Sequence, residues 1–319
     1  MSSEFEYSGS VDQEFYASSD VFLGKEGSRK ILLSAGTIAG NREKPNEDAL
    51  AVNILDGSLF VGVFDGTSSQ KPIPALGEQS GARFASHFLK DNFYLVQEVH
   101  TAKGLLLSLN QHLLEASQAF EGTSIDDTHT LPASTGTIIR IDSDSDLIEL
   151  AHVGDSYCII FYEDGHSDVV TNDRNQVFDG RMFALMSKIA KERHITPREA
   201  RQTEEVKEAL IKMFIERNNN PNGQGSGLIN GDPNVGIYIQ EIRFPLKGVL
   251  AILLGSDGLV PIDLSIQSEE DRQKVVEVLT TDGFKKLFEL KHASEDEDPD
   301  FNHIRYKHSD DATGVLLQF

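Results

Sequence analysis

Two stretches of this chain, Leu59 to Gly66 (LFVGVFDG) and Val249 to Gly258 (VLAILLGSDG), are short apolar runs that end in an acidic residue followed by glycine. Runs of this length read as buried strands, and the Asp-Gly ending reads as the turn that closes each one. Similar runs occupy Asp48 to Leu55, Gly136 to Ile141, Leu147 to Val153, Tyr157 to Tyr162, Val235 to Phe244 and Thr313 to Phe319. Several of them follow one another directly. That order favours an α+β layered sandwich over a doubly wound parallel sheet, in which strands and helices would alternate.

Helical signals lie between the strands. Leu106, Leu109, Leu113, Ala116 and Phe120 recur at three and four residues and form one apolar stripe. Thr196 followed by Pro197 is a helix start that would turn Val206, Leu210 and Phe214 inward, and a third helix follows Ser268. Residues 1–30 have no sustained period and read as an arm that packs or wanders. A single domain then covers 31–319. Asn218 to Gly227 (NNNPNGQGSG) and Ser294 to Asp300 (SEDEDPD) read as solvated, mobile loops.

Charge narrows the partners. Lys and Arg number 29 against 51 Asp and Glu, a formal charge of -22, which repels a phosphate backbone and sets nucleic acid aside. No apolar run approaches the ~20 residues that span a bilayer. Met1 to Ser10 has neither the basic region nor the apolar core of a signal peptide, so the expectation is an intracellular protein. Cys158, the single cysteine, reads as a small buried hydrophobe.

Four acidic sites stand at strand edges: Glu47 with Asp48, Asp65, Asp257, and Asp310 with Asp311. Carboxylates gathered in a small space repel one another unless a cation neutralises them, and an all-oxygen set suits magnesium, manganese or calcium. Each Asp-Gly alone is a common turn signal; the combination points to a metal centre.

In order, Asn46-Glu47-Asp48-Ala49, Val63-Phe64-Asp65-Gly66, Ser134-Thr135-Gly136-Thr137, Val153-Gly154-Asp155-Ser156, Ser256-Asp257-Gly258-Leu259 and Asp310-Asp311-Ala312-Thr313 resemble the motifs of type 2C metal-dependent serine/threonine protein phosphatases. The resemblance spans roughly Leu32 to Phe319. It implies a four-layer sandwich of two antiparallel sheets flanked by helices, a flap at about 174–227, and two Mn²⁺ or Mg²⁺ ions. Asp65 would bridge the ions, Glu47 and the Gly66 carbonyl would complete one site, and Asp257 with Asp310 would hold the other. Asp48 would stand behind these ligands. The implied reaction is hydrolysis of phosphoserine or phosphothreonine in a phosphoprotein by a water bridging the two ions, in a monomeric enzyme.

The pattern also departs from that family. The arginine that clamps the phosphate is expected four residues before Glu47, where Glu43 stands, and Arg42 is the displaced candidate. Thr67 replaces the usual histidine after Asp65-Gly66, removing a general acid. The aspartates nearest to a third metal site, Asp127 and Asp263, are out of register. Asp173, in Thr171-Asn172-Asp173-Arg174, matches a family segment that leads into the flap. These departures give the competing reading, a pseudophosphatase that keeps the fold as a binding or regulatory module.

Overall fold

A computed structural model of the chain describes residues 14–23, 29–41, 43–55, 57–67, 73–94, 99–124, 127, 130–142 and 145–319. Eleven strands form two sheets, with every pairing antiparallel. The five-stranded sheet runs in the order β3 (Ala49–Leu55), β4 (Ser58–Thr67), β5 (Ala133–Ile141), β6 (Leu147–Val153) and β9 (Gln240–Pro245). The six-stranded sheet is ordered β1 (Glu14–Leu23), β2 (Arg29–Ile38), β11 (Ala312–Gln318), β10 (Val249–Gly255), β7 (Tyr157–Tyr162) and β8 (Ser167–Val169).

Strand periodicity builds the layers. Along β4, Leu59, Val61 and Val63 point between the sheets and pack with Leu33, Ile139, Ile252 and Val315. Phe60 and Phe64 point the other way, against Leu89, Leu106, Leu109 and Leu113. Those leucines belong to α1 (Gly81–Asn92) and α2 (Ala102–Ser117). Along β10, Ile252 and Leu254 face the partner sheet, while Ala251 and Leu253 meet Val275, Leu279, Leu287 and Phe288 of α7 (Glu269–Thr281) and α8 (Gly283–Asp296). Both faces of these strands are therefore apolar, which is why they read as continuous runs. The result is the expected four-layer sandwich. Burial of Cys158 between the sheets raises its thiol pKa, in keeping with a core role.

Three helices, α3 (Gln176–Arg193), α4 (Pro197–Arg201) and α5 (Glu204–Arg217), share a separate apolar cluster around Met182, Met186, Val206 and Leu210. Thr196 caps α4 in a full capping box with Glu199, as its sequence position predicts, but the single helix expected from there ends at Arg201, and Val206 and Leu210 are on α5. Ser268 likewise caps α7. Phe214 is only partly buried, and Met213 takes the inward position beside it.

Several expectations are corrected. Val235 to Phe244 is one turn of helix, α6 (Val235–Tyr238), followed by β9, because the Asp232-Pro233-Asn234 turn starts a helix before the strand can begin. The loop Asn218 to Gly227 is buried at both ends, with Asn218, Asn219 and Gly225 to Gly227 inside and only the tip at Pro221, Asn222 and Gln224 exposed. Asn219 donates to the Leu228 carbonyl and to Asn230 and accepts from Leu228 N, and the Tyr238 hydroxyl accepts from Asn220 N and Gly225 N. In Ser294 to Asp300, Glu295 is buried in α8 and Asp298 is buried against Arg305. Of the arm at 1–30, Glu14 to Leu23 packs as the edge strand on β2.

Candidate active site

Carboxylates from both sheets converge at one edge of the sandwich. Glu47 and Asp48 lie just before β3, Asp65 and Gly66 at the end of β4, Asp257 just after β10, and Asp310 and Asp311 just before β11. Asp155, in the turn between β6 and β7, joins them: its charge acts on both Asp65 and Asp257.

Backbone contacts set the convergence. A Cβ on Gly66 would stand 2.5 Å from the Glu47 carbonyl oxygen and 2.6 Å from that of Ala82, so only glycine lets these three segments touch. A Cβ on Gly258 would stand 2.1 Å from the Asp311 carbonyl oxygen. Asp311 ties the loop after β2 to the segment before β11, accepting from Gly40 N on Oδ1 and from Glu47 N on Oδ2, both at 2.7 Å. Asn46 is buried; it donates to Thr37 Oγ1 at 2.7 Å and accepts from Asp48 N at 2.8 Å, which fixes the approach of the Glu47-Asp48 pair.

Asp310 is held from two directions. Lys291, on α8 and 1% exposed, donates to Glu295 Oε1 (2.7 Å), Ser309 Oγ (2.9 Å) and the Asp310 carbonyl (2.9 Å). All three ammonium protons are thereby used. Lys307 Nζ lies 2.5 Å from Asp310 Oδ1.

The electrostatics are those of an unneutralised cluster. Burial, then the neighbouring Asp311, raise the Asp48 carboxyl well above the ordinary range, against a hydrogen bond from Ser256 that lowers it. Asp48 Oδ2 is buried with no hydrogen-bond partner. Burial, then Asp48, Asp257 and Asp155, raise Asp65 in the same way. Asp257 has an exposed outer side, yet desolvation against the cleft wall, Asp310 and Asp155 push it up to about 8. A hydrogen bond from the Asp65 side chain works against that rise.

This donor set fits a hard divalent cation, which would supply the neutralising charge. Among the described residues no group of three His, Cys, Asp or Glu side chains is already arranged around an ion position. Glu47 Oε1 accepts from Ser80 Oγ, and Asp310 pairs with Lys307.

Of the other expected site residues, Thr67 ends β4 and is buried beside Ala133. Arg42 lies outside the described residues; beside it, Asn41 accepts from Glu43 N and Lys44 N in a tight turn. Asp263 is exposed. Sequence reasoning assigned no role to Asp155, Ser80, Lys291 or Lys307. Asp155 carried a signal in the Gly154-Asp155 turn, where Gly154 has φ 96° and a Cβ would stand 2.3 Å from Thr135 Cγ2. A cavity of about 780 Å³ opens beside the cluster, lined by Glu47 and Asp311 and by the cations Lys44, Arg83 and Lys307.

The sequence profile of the family Protein phosphatase 2C matches residues 35–301. No curated protein matches in sequence. Among solved structures, a bacterial serine phosphatase superposes with TM-score 0.53 at 18% identity, covering 90% of this chain and 96% of its own. The Mycobacterium tuberculosis serine/threonine phosphatase PstP/Ppp gives 0.52 at 16% identity, covering 91% and 98%. Stp1 from Staphylococcus aureus gives 0.51 at 16% identity, covering 100% and 99%. These likenesses establish the fold. Because the family profile covers most of the sequence, the chain belongs to the protein phosphatase 2C family of serine/threonine phosphatases.

Proposed function

We propose that the chain hydrolyses phosphoserine and phosphothreonine in proteins with two divalent cations, Mn²⁺ or Mg²⁺, held by Glu47, Asp65, the Gly66 carbonyl, Asp257 and Asp310. The observation that carries this reading is the crowding of carboxyls from both sheets at one edge, where burial and mutual repulsion raise Asp65 and Asp257. When bound, such ions lower the pKa of water and neutralise the phosphoryl oxygens. Asp65, whose carboxyl interacts with Asp48, Asp257 and Asp310, would serve both ions, and Asp48 would stand behind the set.

The remaining work falls to the chain itself. The cations of the 780 Å³ cleft, Lys44, Arg83 and Lys307, offer a receiving surface for a phosphate dianion beside the carboxylates, and Arg42 would add a bidentate clamp. Thr67 supplies no proton near neutral pH, so the leaving alkoxide takes one from solvent. Helices α3 to α5 form the flap that meets the protein substrate.

The test is turnover of p-nitrophenyl phosphate and a phosphothreonine peptide with Mn²⁺ or Mg²⁺. We expect loss of activity in EDTA and a fall of at least about 100-fold in Asp65→Asn. Absence of cation-dependent turnover sinks the reading. It would favour a pseudophosphatase, the alternative supported by Thr67 and by the engagement of Glu47 with Ser80.

A further inference from the structure

A second cavity, about 350 Å³, borders the carboxylate cluster through Asp155 and Asp257 and also contains Asp173. Its walls are aliphatic, with Val260, Leu264 and Ile266 among them. None of the three aspartates is in an ion pair among the described residues. The cationic side chains that line the cavity are already committed. Arg305 Nη1 lies 2.7 Å from Asp298 Oδ2, its other nitrogens donate to backbone carbonyls, and His303 Nδ1 is 3.4 Å from the same Asp298 oxygen. Tyr157, 3% exposed, also lines the cavity, and its buried hydroxyl has no hydrogen-bond partner. An aliphatic cavity beside the carboxylate cluster, with Asp155 and Asp173 as its acidic groups, is complementary to a side chain with a long aliphatic stem and a cationic tip.

We infer that this cavity receives a lysine or arginine flanking the phosphorylated residue, and so selects basic phosphopeptides. The inference rests on the proposed phosphatase reading. Asp257 has a proposed ligand role, so Asp173 is the carboxylate left to meet the substrate cation. The net charge of -22 draws such peptides in at long range.

The experiment compares kcat/KM for two phosphothreonine peptides that differ only in carrying arginine or glutamate beside the phosphothreonine, with p-nitrophenyl phosphate alongside. Variants are Asp173→Asn and Gln267→Lys. Asp173 Oδ1 accepts from Asn175 N and Gln176 N at the start of α3, and asparagine keeps that cap. Gln267 is an exposed lining residue, so lysine there adds charge without disturbing the core. The wild type is expected to prefer the arginine peptide by about fivefold or more, with each variant narrowing the ratio and added salt weakening it. Equal kcat/KM for the two peptides, or a ratio that neither variant moves, overturns the inference and leaves the phosphatase reading intact. Turnover of neither peptide nor p-nitrophenyl phosphate overturns both.

Discussion

Lys307 Nζ stands 2.5 Å from Asp310 Oδ1, so the ammonium of the chain itself occupies the flank of a carboxylate proposed to bind a divalent ion. Opposing the desolvation that would lower its pKa, Asp310 raises it, with Asp65 and Asp311 adding to the effect, and the lysine stays charged. A cation arriving at Asp310 has to displace this internal one.

Replacing Lys307 with glutamine should therefore tighten Mn²⁺ binding. Both side chains are partly solvated, so screening limits the gain to about two- to fivefold in Kd. Calorimetric titration of the metal-free protein measures it, and an unchanged or weaker affinity would refute the displacement idea.

Lys291 and Glu295 form the opposite case, an ion pair with side chains 1% and 4% exposed. Lys291→Met would leave Glu295 charged, with His292 and the Ser309 hydroxyl beside it but no ammonium, and would release the Asp310 carbonyl. Loss of one partner of a buried pair costs about 3–5 kcal/mol. Urea unfolding should show it as a lower midpoint, and a loss under about 1 kcal/mol would mean that the pair contributes no more than a surface one.

The raised carboxyls give the pH dependence of the metal-free protein a definite sign. Folded Asp48, Asp65 and Asp257 bind protons that the unfolded chain has released above about pH 4. That stabilisation is complete below the unfolded value and is lost as pH rises through the folded values, for Asp257 about 8. In EDTA, Tm should fall by about 5 °C or more between pH 5.5 and 8.5, and Mn²⁺ should flatten the slope. A Tm that rises across this window contradicts the assignment.

Gly66→Ala forces a methyl against two backbone carbonyls, of Glu47 and Ala82, neither of which can rotate away. Overpacking of this kind costs about 1–3 kcal/mol. Because the displaced segment carries Glu47, activity should fall more steeply than stability, which paired denaturation and kinetic measurements would resolve.

Much of the fold was readable because β4, β6, β7, β10 and β11 have apolar residues on both faces, and such runs stand out from loops. The segments that escaped have weaker signatures. Helix α3 has glycine at Gly180 and an exposed Val177, which blur its stripe, and β1 has mainly intermediate or exposed positions at its start. Asn218 to Gly227 misled because asparagine-rich composition resembles a solvated loop, whereas here the side-chain amides satisfy one another in the interior. At the site, the acidic residues were legible from their place at strand ends. Ser80 and Lys291 were not, since their partners are 33 and 19 residues away and only the tertiary fold selects them, and Lys307, three residues from Asp310, sits in a segment with no periodic signal.

Strand β11 lies between β2 and β10 in the six-stranded sheet, although it follows both in the sequence. On the ribosome, β1 with β2 and β10 with β7 and β8 can each pair, but nothing joins the two groups until Ala312 to Gln318 has emerged. Asp310 and Asp311 arrive immediately ahead of that strand. The acidic cluster thus stays incomplete until these residues have been made, and maturation of the sheet and assembly of the cluster are a single closing event.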